Sequence, residues 1–564
     1  MSNEKLHEKI EFVNVREMLD WCAETHNTKT AFSFMSEDKS KEIIKKSFTE
    51  LREDVRALGS KMLQMGCHGK HCAVIGKFSY NWAVIYFASM SIGAVLVPLD
   101  KDWHAKDLVD TCKNADVDFL FADIDISDKA TEIGEEIKLY HQPIYIGGDS
   151  ANSVSQLINE GATLYNNAPD DFYAARISPD KLSLLVFTSG TTGKGKGVML
   201  SQNAILSDLC DIIPYIDFGK KTVGVLPPHH TYGSSVMLIG HSIIGAEVYV
   251  SSGLRHLLKE LKDQKPEHLV LVPLYLETFY RRIKSTLKEK GKEETVNKLI
   301  TLSNNMLKVG IDLRKNLFSS IRAAFGGEVK TIISGGAPLN PDILSFFEAI
   351  GISVLNGYGI TECAPIVAVN RSKNVVPGSV GTVLNIDTVK ISEPDEDGEG
   401  EICVKGPNVM LGYYKNDEAT TEAFDNDGYF KTGDYGKIDK NKILYITGRK
   451  KNIIILSNGK NVYPEEIENE LVAVPGVLDV VVYEGKSARG VTYNTIVAEI
   501  FPDKDYFDKN NIDDAKGYFK KHIDEYNKSA VSYKKIGLLR VRKEEFPKNT
   551  LRKIMRFQIN TEIE

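Results

Sequence analysis

The sequence lacks the features that would place it among disulfide-stapled, zinc-bound or nucleic-acid-binding proteins. Its seven cysteines, Cys22, Cys67, Cys72, Cys112, Cys210, Cys363 and Cys403, are scattered, odd in number and never spaced as a CxxC pair. They supply neither a disulfide framework nor a zinc site, and reduced thiols in a cytoplasmic setting are expected. Basic charge is not in excess: 70 Lys and Arg stand against 77 Asp and Glu, a net charge of −7. That balance gives no electrostatic drive toward nucleic acid. The first residues, Met1-Ser2-Asn3-Glu4-Lys5, carry mixed charge and lead into no apolar core, so no signal peptide is expected. One charge-free stretch, residues 80–99, approaches the length of a membrane span. Asn81, Ser89, Ser91 and Gly93 dilute it and Pro98 ends it. A buried helix to about Ser91, a turn at Gly93 and a short strand over 94–96 are predicted there instead of a transmembrane segment.

What is present is ordinary globular composition over 564 residues, with 42% hydrophobic and 26% charged side chains. That length exceeds what one hydrophobic core supports, so more than one domain is expected. Short apolar runs at 72–75, 119–121, 184–187, 269–272 and 331–333 alternate with amphipathic stretches such as 48–65. This is the pattern of an α/β architecture with stacked layers and largely parallel strands. From about 380 to 440 the texture becomes short strands and many turns, predicting a small appended β-barrel-like region. After Thr447-Gly448-Arg449-Lys450-Lys451 a smaller α+β unit starts, with a helix opening at Pro464-Glu465-Glu466. The expected domains are 1–448 and 449–564. The last segment, 534–556, holds nine basic residues and only Glu544 and Glu545 against them. Such a tail ordinarily faces solvent, and here phosphates are a second destination.

The most informative stretch is 184–201, LLVFTSGTTGKGKGVMLS. An apolar strand runs into Thr188-Ser189-Gly190-Thr191-Thr192-Gly193-Lys194-Gly195-Lys196-Gly197. Glycines let the backbone turn its N–H groups inward, and hydroxyls and lysines add donors and charge suited to a polyphosphate. The spacing nearly matches a Walker loop, but Gly197 stands where a P-loop needs Ser or Thr for magnesium, so a P-loop NTPase is excluded. The stretch resembles the signature loop of the acyl-adenylate-forming (AMP-binding) enzymes, which include acyl-CoA synthetases, luciferase and peptide-synthetase adenylation domains. The family usually has Pro at Gly195.

Further stretches follow in the family's order. Ser334-Gly335-Gly336-Ala337-Pro338-Leu339 resembles the turn that lines the acyl and adenine pockets. In Asn356-Gly357-Tyr358-Gly359-Ile360-Thr361-Glu362 the resemblance implies Tyr358 on adenine, Thr361 near the α-phosphate and Glu362 on magnesium. It assigns Asp434, in Lys431-Thr432-Gly433-Asp434, to the ribose hydroxyls, Arg449 to the nucleotide and Lys451 to a domain hinge. Asn452 stands where the family usually has an acid. Gly459 and Lys460 match a loop that lines the thiol tunnel. In Phe546-Pro547-Lys548-Asn549-Thr550-Leu551-Arg552-Lys553, Lys553 matches a lysine that enters the adenylation site. Thr188, Lys196, Glu362 and Lys553 are then the implied catalytic set, with ATP, magnesium and coenzyme A or a carrier-protein phosphopantetheine as co-reactants.

The segment Leu226-Pro227-Pro228-His229-His230-Thr231-Tyr232-Gly233 is similar to the border of the family's acid pocket, which places His230, Tyr232, Gly233 and Gly335 in its wall. Amino-acid-activating members carry Asp where this chain has Thr231, and a buried ammonium without that partner is costly. A helical insert over about 280–325 resembles the long-chain fatty acyl-CoA synthetase branch. The implied partners are a fatty acid and CoA, with an acyl carrier protein as the alternative acceptor and a stand-alone peptide-synthetase adenylation domain as a further reading. A non-enzymatic nucleotide-binding protein would need a broken site, and Glu362, Asp434, Arg449 and Lys553 are all intact. A fatty-acid substrate would make peripheral membrane contact convenient, though no strongly basic amphipathic helix stands out.

Overall fold

The computed structural model describes residues 4–36, 41–148, 150–188, 195–456, 461–487, 492–548 and 554–563. The alternation of strands and helices forms three sheets in a large N-terminal domain. The first sheet runs, in spatial order, Gly412–Tyr413, Lys196–Ser201, Leu182–Thr188, Val95–Leu99, His71–Ile75, Val117–Asp123 and Ile144–Ile146. Its middle is parallel, and its strands are almost fully buried, because helices cover both faces. A separate four-stranded sheet is built on the parallel pair Thr30–Met35 and Glu247–Val250.

The second large sheet holds nine strands. His268–Leu271, Thr331–Ser334 and Ser353–Gly359 are parallel, and from there the pairing becomes antiparallel through Ile366–Val369, Gly381–Val383, Ile443–Arg449, Phe430–Ile438, Gly400–Lys405 and Thr388–Ser392. The β-rich region read from sequence is therefore appended edge-on. Ser353–Gly359 pairs in parallel on one side and antiparallel on the other, so the region continues the sheet in open order.

Local chemistry explains the elements that frame the core. Helix Phe48–Gln64 starts at a capping box in which Ser47 and Glu50 each satisfy the other's backbone N–H. Helix Tyr80–Ser91 starts at Ser79, whose side chain accepts from the Trp82 N–H, and every residue from Trp82 to Ser91 is buried. A helix apolar on all sides is a buried core helix, as predicted for this stretch, and strand Val95–Leu99 follows it. No helix among the described residues is long and apolar enough to cross a membrane. All seven cysteines are buried and free.

The smaller C-terminal domain has its own core, in which Ile454, Leu471, Val482, Phe519 and Ile536 pack together. Its sheet joins Val477–Lys486, Thr492–Pro502 and Ile536–Val541, with helix Pro464–Val472 opening where expected. The basic tail does not simply face solvent. Arg542 pairs with Glu499 at 2.8 Å and Lys548 with Asp479 at 2.7 Å, while Arg556 pairs with Glu468. These acids lie on the domain's own sheet and first helix, so the tail is folded back across them.

Candidate active site

The stems of the glycine-rich loop are the antiparallel strands Leu182–Thr188 and Lys196–Ser201, with Thr188 opposite Lys196. Ser189, Gly190, Thr191, Thr192, Gly193 and Lys194 lie outside the described residues, as do Gly459, Lys460 and Lys553. A Cβ at Gly195 would stand 2.7 Å from the Thr188 carbonyl oxygen, which gives a reason for glycine where the family usually has proline.

The predicted nucleotide-site residues form two clusters. In the first, Lys196 Nζ lies 4.7 Å from the centre of the Tyr413 ring, and the Tyr413 hydroxyl donates to Glu362 Oε1 at 3.0 Å. Glu362 sits on the one-turn helix Thr361–Cys363, directly after strand Ser353–Gly359, and Tyr413 on the edge strand beside Lys196–Ser201. Burial and the neighbouring Glu362 carboxylate push the Tyr413 phenol well above its ordinary range, so it stays protonated and donates. The cluster thereby ties the two large sheets together, with a cation at one end and a half-buried carboxylate at the other. Tyr413 carried no signal in the sequence, because it lies 51 residues from Glu362 and in no charged or glycine-rich motif. Among the described residues no group of three or more His, Cys, Asp or Glu is placed to enclose a metal. A divalent cation there would rest on Glu362 and on oxygens of a bound phosphate.

In the second cluster Tyr358 donates to Asp434 Oδ2 at 2.6 Å, and Arg449 Nε lies 2.7 Å from Asp434 Oδ1. Asp434 and Arg449 face each other across strands Phe430–Ile438 and Ile443–Arg449. The Asp434 side chain is 3% exposed and that of Arg449 42%, so the carboxylate is sheltered while the guanidinium borders solvent. Burial, with Asp434 next to it, holds the Tyr358 phenol protonated. Two residues before Tyr358, Asn356 presents a buried Oδ1 with no donor among the described residues. Strand periodicity puts both on one face. A Cβ at Gly359 would stand 2.1 Å from the Pro365 carbonyl oxygen, so this turn admits no side chain; Gly357 is less confined.

The predicted acid-pocket residues also come together. Tyr232 opens a π-helix, Tyr232–Gly240, and its hydroxyl donates to the carbonyls of Leu271 and Ile333 at 3.3 and 3.2 Å. Its ring lies against Gly335, where a Cβ would be 3.3 Å from Tyr232 Cζ. Gly336 follows with φ +85°, and Ala337 is half-buried behind it. Gly233 is held so close to Pro227 that a Cβ would meet its carbonyl oxygen at 2.0 Å. The rings of His229 and His230 are 4.4 Å apart. Burial pushes the His229 imidazole down to about 4, so its 3.5 Å approach to Asp100 is that of a neutral ring at physiological pH. Neither Asp100 nor His229 was singled out by sequence reasoning. Thr231 is buried.

Lys451 is exposed on the one-turn helix Lys450–Asn452. Partial desolvation, then the charge of Arg449, pushes its ammonium below the ordinary lysine value. Asn452 Nδ2 donates to Glu465 Oε1 at 2.6 Å. An acid at 452 would repel Glu465, which accounts for the departure from the family's usual residue. Across the domain junction, Lys288 donates to Asn510 at 2.9 Å.

The chain is similar to known proteins. Long-chain-fatty-acid–CoA ligase FadD15 of Mycobacterium bovis is 29% identical over 453 residues, which span 77% of this chain and 74% of that protein. Long-chain-fatty-acid–CoA ligase 5 of Rattus norvegicus is 29% identical over 80% of this chain and 71% of its own length. Among solved structures, ATP-bound MatB from Rhodopseudomonas palustris superposes with a TM-score of 0.74 at 24% identity, covering 96% of this chain and 97% of that one. The chain thus shares the fold of that protein. A family description, "AMP-binding enzyme", matches residues 19–414, which contain the loop stems, Glu362, Tyr358 and the acid-pocket segment, so the chain belongs to the AMP-binding enzymes.

Proposed function

We propose that this enzyme activates a medium- or long-chain fatty acid as its acyl-adenylate and transfers the acyl group to coenzyme A. The observation that carries the reading is the pair of clusters, joined along the chain by the short stretch from Tyr358 to Glu362: Lys196–Tyr413–Glu362 as the phosphate end and Tyr358–Asp434–Arg449 as the ribose and adenine end. ATP fits this arrangement. The orphan acceptor Asn356 Oδ1 suits the adenine amino group, the Tyr358 ring the purine face, and the sheltered Asp434 carboxylate the ribose hydroxyls.

In the first step a carboxylate oxygen of the acid bonds to the α-phosphorus while the bond to pyrophosphate breaks. Charge spreads over phosphate oxygens, so positioning and electrostatics do most of the work. Thr188, Lys196 and the 189–194 loop bind the phosphates, with Thr361 beside them, and Lys553 supplies positive charge. Magnesium, held by Glu362 with the phosphates, supplies charge neutralisation when bound. In the second step the thiol sulfur bonds to the acyl carbon and AMP leaves. The C-terminal domain, taken as 449–564, turns about Lys451 between the steps, exchanging Lys553 for the Gly459–Lys460 loop that lines the thiol path.

The acid is read from the pocket. Buried, neutral Thr231 offers no partner for an ammonium, and the apolar, buried π-helix behind Tyr232 suits an alkyl chain. The relatives named as long-chain-fatty-acid–CoA ligases support the same class. Buried free cysteines agree with a cytoplasmic setting. With ATP and CoA supplied, palmitate or octanoate should give AMP and the CoA thioester, and amino acids should not. Faster turnover of an amino acid would overturn the substrate reading.

Tyr413→Phe removes the hydroxyl that fixes Glu362 while keeping the ring under Lys196. A hydrogen bond to a charged group is worth about 1.5–3 kcal/mol, so adenylation should slow by about 10- to 100-fold. A magnesium titration of the variant checks this, with half-saturation shifted to higher concentration. Wild-type magnesium dependence would separate Tyr413 from the metal end.

A further inference from the structure

Two buried histidines, His241 and His268, take no part in the nucleotide clusters. They are 1% and 0% exposed, their Nε2 atoms stand 2.9 Å apart, and their rings lie within 13° of parallel. Their outer nitrogens fix where the protons are. The Val236 carbonyl, 2.7 Å from His241 Nδ1, can only accept, so that nitrogen carries the hydrogen. The Gly219 N–H donates to His268 Nδ1 at 3.2 Å, so the hydrogen of His268 is on Nε2. A neutral imidazole has one N–H, and His268 therefore donates to His241 Nε2, with all four ring nitrogens used. Burial pushes both imidazoles below the ordinary value, His241 to about 4, so this chain of bonds is intact at physiological pH.

The bonds end on the π-helix Tyr232–Gly240. His241 directly follows it and grips the Val236 carbonyl twice. Its backbone N–H, shared with the Leu238 carbonyl, makes the bond across five residues that defines π winding, and its ring adds the second bond. A π-helix ordinarily persists for a single turn, so nine residues of it need an external hold. His268 opens strand His268–Leu271, and the last carbonyl of that strand accepts from the Tyr232 hydroxyl at 3.3 Å. One strand thus holds the helix at both ends, through Tyr232 at its start and through His241 at its finish.

We propose that His241 and His268 are positioning residues for the acid: they hold the far end of the pocket wall in its π form and so set how long an alkyl chain the enzyme accepts. The inference rests on the reading of helix Tyr232–Gly240 as the wall of a fatty-acid pocket. Tyr232, against Gly335, marks the end near the carboxylate, so only a long chain runs along the helix to the His241 end. The test is pyrophosphate exchange with octanoate and with palmitate at saturating ATP. His268→Asn keeps an acceptor for the Gly219 N–H but does not reach His241. It should lower the palmitate-to-octanoate ratio of kcat/KM by about tenfold or more, the scale of one buried hydrogen bond, and leave KM for ATP unchanged. His241→Asn keeps a donor for Val236 and breaks the same link, so it should reproduce the shift, and the double variant should add little to either. A purely structural loss would lower both acids alike. If neither histidine variant folds, Tyr232→Phe releases the other end of the helix by removing one hydroxyl and should lower the ratio in the same direction. An unchanged ratio in the folded histidine variants, or in Tyr232→Phe where those do not fold, would overturn the inference and leave the fatty-acid reading standing. Wild-type protein that exchanges with neither acid would overturn that reading and this inference with it.

Discussion

Asp434→Ala is expected to lower kcat/KM for ATP in adenylation by about 10²- to 10⁴-fold, since two contacts to a charged group, each worth about 1.5–3 kcal/mol, are lost together. The carboxylate is the hub of the ribose-end cluster. Both its oxygens are engaged, by Tyr358 at 2.6 Å and by Arg449 at 2.7 Å. Its removal leaves the buried Tyr358 phenol without its acceptor, while the more exposed Arg449 can be resolvated. The loss should therefore fall on ATP binding and ring placement more than on the acid. Asp434→Asn keeps the shape and one acceptor and should lose less. The check is a KM-against-kcat comparison for ATP and for the acid in both variants. A folded alanine variant with unchanged kcat/KM for ATP would remove Asp434 from the nucleotide site.

Lys553→Ala should divide the two half-reactions. Loss of one preorganised charge at a reacting phosphate costs about 10²–10³ in rate, so adenylation should fall by that factor. Thioester formation from supplied acyl-adenylate should be nearly unaffected, because the proposed domain turn withdraws this lysine before the second step. The flanks of the segment are pinned: the Met555 N–H donates to the Pro547 carbonyl at 2.8 Å, and Lys548 bridges to Ile554. The neighbouring cations Arg556 and Lys548 are occupied by Glu468 and Asp479, which leaves them poor substitutes for Lys553. Equal loss in both half-reactions would reject the assignment.

The α/β layers were legible because their strands are buried on both faces and so read as continuous apolar runs, as at 72–75 and 184–187. Helix Tyr80–Ser91 was legible as a charge-free run diluted by Asn81, Ser89 and Ser91 and closed by a turn at Gly93, whereas its Ser79 cap emerged only in the structure. The motif residues Tyr358, Asp434 and Arg449 were legible by order and type, and the structure brings them within hydrogen-bond reach. Three features were not legible. The link between Lys196, Tyr413 and Glu362 depends on which edge strand meets which turn, and a single tyrosine carries no pattern for that. The π-helix Tyr232–Gly240 is apolar at almost every position, so no periodicity distinguishes it from an α-helix or a strand. Pairing of the basic tail with Glu499, Asp479 and Glu468 is a tertiary arrangement that charge counting along the chain does not show.

The most direct test of acyl-adenylate formation is fatty-acid-dependent exchange of labelled pyrophosphate into ATP with every thiol left out. The account predicts exchange with palmitate or octanoate, dependent on magnesium and lost in Glu362→Gln. Exchange no greater than the acid-free background across fatty acids, in protein that binds ATP, would contradict it.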